Sequence, residues 1–165
     1  MADIAHSYGA SIEGEIGHVG GAEGAATAEG MEEAEKFYTK PEEAKDFVDK
    51  TGVDALAIAV GNAHGAYKLP PKLDFERIRT IAKTVDVPLV LHGGSGLTDD
   101  DFKQAIKEGI SKVNIFTDIN CAAAKAVVKS YREGMGLSDL SPDIVAAVKA
   151  ETIRKMMLFG SANRV

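Results

Sequence analysis

The chain has 165 residues, 45% hydrophobic and 27% charged, with a net charge of −6; that suits one soluble globular domain with a sizeable core, and no apolar run approaches the ~20 residues of a membrane span. Acidic and basic residues are mixed with no basic stripe, which argues against nucleic acid as a partner and leaves any anionic ligand to be held by local donors against the global field. The one cysteine, Cys121, rules out an internal disulfide, suits a reducing cytoplasm and reads as a small buried hydrophobe on a helix.

Met1–Tyr8 lacks the basic-then-apolar pattern of a signal peptide and reads as the tail of a helix feeding a strand. Strand-like runs then alternate with helix-like ones, the pattern of a parallel βα sheet. The first strand is expected at Ala10–Ile16, followed by a glycine- and alanine-rich loop, Gly17–Gly30. Helical sequence runs from Met31 to Lys50, broken near Pro41, with Thr39 and Glu42 spaced as a capping box and Gly52 as the stop. Ala55–Val60 is a nearly all-apolar second strand, as in a sheet buried on both faces. Asp74 caps a helix to Thr84, Pro88–His92 is the third strand, and Gly93–Gly96 is a tight turn. Thr98 caps a helix that Gly109 stops, and Lys112–Phe116 is the fourth strand. Asp118–Glu133 is a long helix broken at Gly134 and Gly136, and Ser141-Pro142 opens the last one. No linker divides these elements, so the expectation is a single domain over 1–165.

The residues able to do chemistry gather at or just past strand ends, the edge where parallel α/β folds bind ligands. Alternation along the first strand puts Glu13 and Glu15 on one face. Such a pair is costly in an interior strand unless it meets cations or a metal; the alternative is an edge strand with a solvated acidic face. After the second strand, Gly61-Asn62-Ala63-His64-Gly65 presents a histidine between glycines, and Gly65 allows a ligand close to the backbone. After the third, His92 leads straight into Gly93-Gly94-Ser95-Gly96 and a helix. A turn of this kind offers N–H groups and a helix dipole to phosphate, and Ser95 adds a hydroxyl. It has neither the lysine of a P-loop nor the spacing of a dinucleotide fingerprint. Asn114 and Thr117 frame the fourth strand end, as donors to a phosphate or sugar oxygen or, for Thr117 with Asp118, as helix caps.

Two histidines on neighbouring strand ends beside an anion-binding turn point to a metal, and imidazole suits zinc. Catalytic zinc usually has three protein ligands. Glu15 is a candidate to help, His6 precedes the first strand at the opposite edge, and His18 sits in the loop without support.

Taken together, Glu13-Gly14-Glu15-Ile16-Gly17 with Gly20-Gly21, Gly61–Gly65, Leu91–Gly96 and Val113–Asp118 resemble, in order and spacing, the class II (zinc-dependent) fructose- and tagatose-bisphosphate aldolases. The resemblance is strong from Ala10 to Ile119 and weaker beyond. It implies the carboxy-terminal half of a TIM (β/α)8 barrel: four parallel βα units, the fifth to the eighth. It implies a cytoplasmic lyase of carbohydrate metabolism (glycolysis) that cleaves a ketose 1,6-bisphosphate, fructose or tagatose, reversibly to dihydroxyacetone phosphate and glyceraldehyde 3-phosphate. Zinc is its cofactor, and a monovalent cation beside the phosphate is a further expectation. The implied metal ligands are His64, His92 and Glu15. The implied phosphate contacts are Gly65, Gly93, Ser95, Asn114 and Thr117, with Lys68 assigned by its charge to the second phosphate. Glu23 falls near a loop glutamate that some members use for proton transfer.

Members of that family are about twice as long, and their other half carries an aspartate–histidine pair supplying the remaining zinc ligand and the acid–base group. The isolated chain is therefore expected to be incomplete or inactive as an aldolase. Its expected partners are a phosphosugar and either a second copy or a complementing amino-terminal half-barrel, with no membrane and no nucleic acid. The alternatives are a non-catalytic phosphosugar-binding half-barrel and a truncated fragment.

Overall fold

Proline and glycine set the limits of the first long helix. Pro41 occupies its first turn, where the missing N–H costs nothing, and Gly52 (φ +65°) closes it in the left-handed region. The computed structural model containing this helix describes residues 1–18, 20–21, 35–64, 72–94 and 96–164, with 20, 21, 63 and 64 in their backbone alone. The elements are α1 (Ala2–Ser7), β1 (Glu13–Ile16), β2 (Gly20–Gly21), α2 (Pro41–Thr51), β3 (Ala55–Ile58), β4 (Ala63–His64), α3 (Phe75–Thr84), β5 (Leu89–Leu91), α4 (Asp99–Glu108), β6 (Ile110–Val113), α5 (Thr117–Ser130) and α6 (Leu137–Leu158). The chain falls into two compact units, Met1–Asn114 and Ile115–Val165.

The first unit is built on one parallel sheet in the order β1-β3-β5-β6. A second, two-stranded pairing sets Gly20 and Gly21 of β2 beside Ala63 and His64 of β4. Strand alternation sorts the sheet into two faces. One carries Leu56, Ile58, Leu89 and Leu91, all at most 1% exposed. It faces α2: a side chain at Gly14, in register with Leu56, would strike Phe47 of that helix. Ile78 and Ile81 of α3, Phe102 and Ala105 of α4 and Ala44 of α2 complete this core. The other face runs Glu15, Ala57, Val90, Lys112 in register across the four strands. A bulge opposite Leu89 and Val90 takes up Ser111 and brings Lys112 into that row.

The helices start where the sequence puts them in two cases. Asp74 accepts from Arg77 N at 2.9 Å. Thr98 and Asp101 form a full capping box. The capping box expected at Thr39 and Glu42 is not made: Lys40 is the N-cap, without a side-chain bond. Thr39 is fully buried, and its hydroxyl donates to Ile16 O (2.8 Å) and accepts from Ala59 N (2.9 Å). A hydroxyl within reach of two strand ends satisfies buried backbone groups that water cannot, and that outweighs a solvated cap.

The second unit is the helix pair α5 and α6. Its last helix begins at Leu137, not at Ser141, because the Asp139 carboxylate accepts from Gly136 N (2.8 Å) and caps the earlier start. Pro142 thus lies inside the helix, and Ser141 turns its hydroxyl back to Leu137 O. Buried Lys155 pairs with Asp118 at 2.6 Å. Cys121 is exposed, against the expectation of a buried hydrophobe; α5 buries none of its residues.

Candidate active site

The side chains that meet at the carboxyl ends of the strands come from β1, β5 and β6. His92 follows β5 directly, and its ring lies between the two glutamates of β1. Nε2 is 2.9 Å from Glu13 Oε1, and Nδ1 is 3.3 Å from Glu15 Oε2. The acidic pair is therefore neither purely solvated nor bare: β1 is an outer strand of the sheet, and Glu13 is met by the ammonium of Lys112 and the ring of His92. Lys112 Nζ donates to Glu13 Oε2 and to Asn114 Oδ1, each at 2.8 Å. Burial pushes the Glu13 carboxyl up, but the Lys112 and His92 hydrogen bonds outweigh it and hold the group below its ordinary value of 4.5. β1 and β6 stand three strand spacings apart, roughly 14 Å. Glu13 and Lys112 meet over buried Ala57 and Val90, whose short side chains leave the room.

The backbone at this edge is fastened by Asn62 and Asn114. Buried Asn62 accepts from Val60 N (2.8 Å) and donates to His92 O (2.9 Å), tying the end of β3 to the residue after β5. Asn114 N donates to Leu91 O at 3.0 Å. Gly61 (φ +96°) passes so close to Lys72 O that a Cβ would stand 2.4 Å from it, so only glycine makes this corner. Gly93 and Gly96, at φ +61° and +98°, shape the turn after His92. The helix behind that turn is less inviting to an anion than its position suggests. Asp99, Asp100 and Asp101 fill its first turn, and Thr98 with Asp101 already occupies its end.

Of the residues expected at the site, Glu15 and His92 are brought together, and Asn114 joins them through Lys112 and Glu13. The β2–β4 pairing places the backbone of His64 beside Gly21. Thr117 opens α5 in the second unit. Glu23, Gly65, Lys68 and Ser95 lie outside the described residues. His6 bonds Asp54 Oδ2 at 2.9 Å, at the amino-terminal edge of β3. His18 stacks edge-on to Phe37.

As a donor set for zinc, His92 and Glu15 fit in part. An imidazole nitrogen and a carboxylate oxygen 3.3 Å apart are two acceptors that a cation or a proton must bridge. Among the described residues no group of three or more His, Cys, Asp or Glu side chains is arranged to hold a metal, so these two complete no site by themselves.

The family model for class II fructose-bisphosphate aldolase matches residues 1–164. The chain belongs to that family. In sequence it is 43% identical over 159 residues to the Escherichia coli K12 protein YdjI, covering 96% of this chain and 55% of that one. The crystal structure described as the YdjI aldolase superposes with a TM-score of 0.82 at 37% identity, over 99% of this chain and 54% of the other. A structure described as a putative fructose-1,6-bisphosphate aldolase from Coccidioides immitis also gives 0.82, at 28% identity and over 99% and 56% of the two chains. The chain thus spans about half the length of the aldolases it matches, and its four parallel strands agree with half of a barrel. Among the described residues no helix is long and apolar enough to cross a membrane.

Three residues at this edge escaped the sequence reading: Lys112, Asn62 and Thr39. Asn62 stood inside a motif without a role, and its position directly after a buried strand is the signal that could have assigned one. Lys112 gave no signal, because its partner Glu13 is 99 residues away.

Proposed function

We propose that this chain forms the zinc- and phosphate-binding half of a class II aldolase that cleaves a ketose 1,6-bisphosphate, fructose or tagatose, reversibly to dihydroxyacetone phosphate and glyceraldehyde 3-phosphate. The observation that carries this reading is the meeting of His92 with Glu15 at the carboxyl edge of a parallel sheet, directly before a glycine turn, in a chain of this family. His92 and Glu15, with His64, would hold zinc. Bound zinc would supply Lewis-acid polarisation of the substrate ketone. The protein's own residues do the rest. The glycine turn at Gly93, with Ser95, Gly65 and Asn114, binds the phosphate of dihydroxyacetone phosphate, and a monovalent cation beside it would offset its charge. Lys68 meets the second phosphate. Glu23 carries the proton of the hydroxyl that becomes the aldehyde. Among the described residues β1 and β6 are the outer strands of the sheet, on whose edges a complementing half-barrel or a second copy would close it. One cysteine suits a cytoplasmic setting.

The test is cleavage of fructose 1,6-bisphosphate and of tagatose 1,6-bisphosphate by the chain, alone and mixed with a polypeptide carrying the other half of the barrel, with and without chelator. The expected result is cleavage that needs both halves and is abolished by chelator. Cleavage indifferent to chelator overturns the metal role.

A further inference from the structure

We propose that Lys112 and Glu13 are positioning residues: Lys112 clamps Glu13, Glu13 fixes the ring of His92 through Nε2, and the same ammonium sets the amide of Asn114. The chain of contacts is Asn114 Oδ1–Lys112 Nζ–Glu13 Oε2, then Glu13 Oε1–His92 Nε2, at 2.8, 2.8 and 2.9 Å. Each carboxylate oxygen of Glu13 is committed to a different partner, so the group cannot turn without losing one. This puts a ring proton of His92 on Nε2, directed at Glu13, and leaves Nδ1, the nitrogen that faces Glu15, to be bridged to that carboxylate by a metal or by a second proton. It also assigns the amide of Asn114: with Oδ1 taken by the ammonium, Nδ2 is presented as a donor, the polarity that suits a phosphate or hydroxyl oxygen.

Stability is not what this network supplies. Lys112 is about half exposed, and an ion pair so wet adds little to stability. Its value is geometric, since a metal-binding histidine owes its tautomer and orientation to the carboxylate behind it. The role given to His92 rests on the zinc reading above; the orientation of its ring does not.

The test has two readouts on the full chain. The first is the 15N imidazole spectrum of His92 without metal; the second is zinc affinity by calorimetry. Wild type is expected to show the shift of a protonated Nε2 hydrogen-bonded to a carboxylate. Lys112→Met and Glu13→Ala lose it and bind zinc about 10- to 100-fold more weakly. Lys112→Arg, which keeps a cationic donor, retains the wild-type Nε2 shift. Unchanged His92 resonances in Lys112→Met overturn the proposal, and if that variant does not fold, unchanged resonances in Glu13→Ala do the same. Equal zinc affinity of wild type and His92→Ala would instead sink the zinc reading, with the metal-free spectra still deciding the positioning claim.

Discussion

Glu13 and His92 lie 79 residues apart in the chain and 2.9 Å apart in the fold. Nothing local brings them together. β1 and β5 both pair with β3 in parallel; Glu13 opens β1 and His92 follows β5, and alternation aims both side chains at one face of the sheet, so the ring reaches back along that face to the carboxylate. The small side chain of Ala57 on the intervening strand lets the two meet.

Asn62 is expected to matter for both stability and the site. Its amide serves Val60 N and His92 O at a buried position. Asn62→Leu leaves Val60 N without its acceptor and takes a donor from His92 O, at about 1–3 kcal/mol for an orphaned buried group. Urea unfolding should show the loss, and the His92 ring resonances should broaden, because its backbone is no longer anchored. A variant with wild-type midpoint and unchanged resonances would contradict this account.

The order of strands and helices was legible because each element carries its own signal: apolar runs such as Ala55–Ile58, caps at Asp74 and Thr98, stops at Gly52 and Gly109. The meeting of His92 with Glu15 was legible in outline, since both sit at strand ends on one edge. What escaped depends on partners distant in sequence. Thr39 looks like a cap by its spacing to Glu42, and only the nearness of Ile16 and Ala59 makes it a strand tie. The start of the last helix was missed because Ser141-Pro142 is a strong local signal, while Asp139 caps backwards onto Gly136.

Thr39→Val keeps the shape and removes the hydroxyl. Ile16 O and Ala59 N then lose their shared partner, an expected loss of about 2–6 kcal/mol, from roughly 1–3 for each orphaned group. Thr39→Ser should recover most of it. Urea midpoints of the three proteins decide the matter, and a Val variant as stable as wild type would refute the strand-tie role.

Cys121 should react as an exposed thiol. It lies on the open surface of α5, so a thiol reagent such as dithiobis-nitrobenzoate is expected to modify one equivalent in the folded chain, at a rate that denaturant barely changes. A thiol that titrates only after unfolding would mean that α5 is covered by another surface in solution.

Acid sensitivity is the last expectation. The His6 hydrogen bond, then that from Ile12 N, holds the Asp54 carboxyl below its ordinary value of 3.8. A carboxylate depressed in the fold adds stability at pH above its unfolded value and loses it as pH falls through the folded one. Asp54 therefore stabilises the attachment of α1 near neutrality and stops doing so in acid. Glu13 and Glu108 are lowered as well, Glu108 by its bond to Arg79, so each of the three adds to the acid limb of the stability curve. Asp54→Asn subtracts one share. Wild type should be the more stable of the two at about pH 6, and the gap should close as pH falls through the lowered folded value of Asp54. His6→Ala removes the largest cause of the shift and should move the same way by a smaller amount. A gap between wild type and Asp54→Asn that stays constant with pH would show that the aspartate acts here only as a neutral acceptor for Ile12.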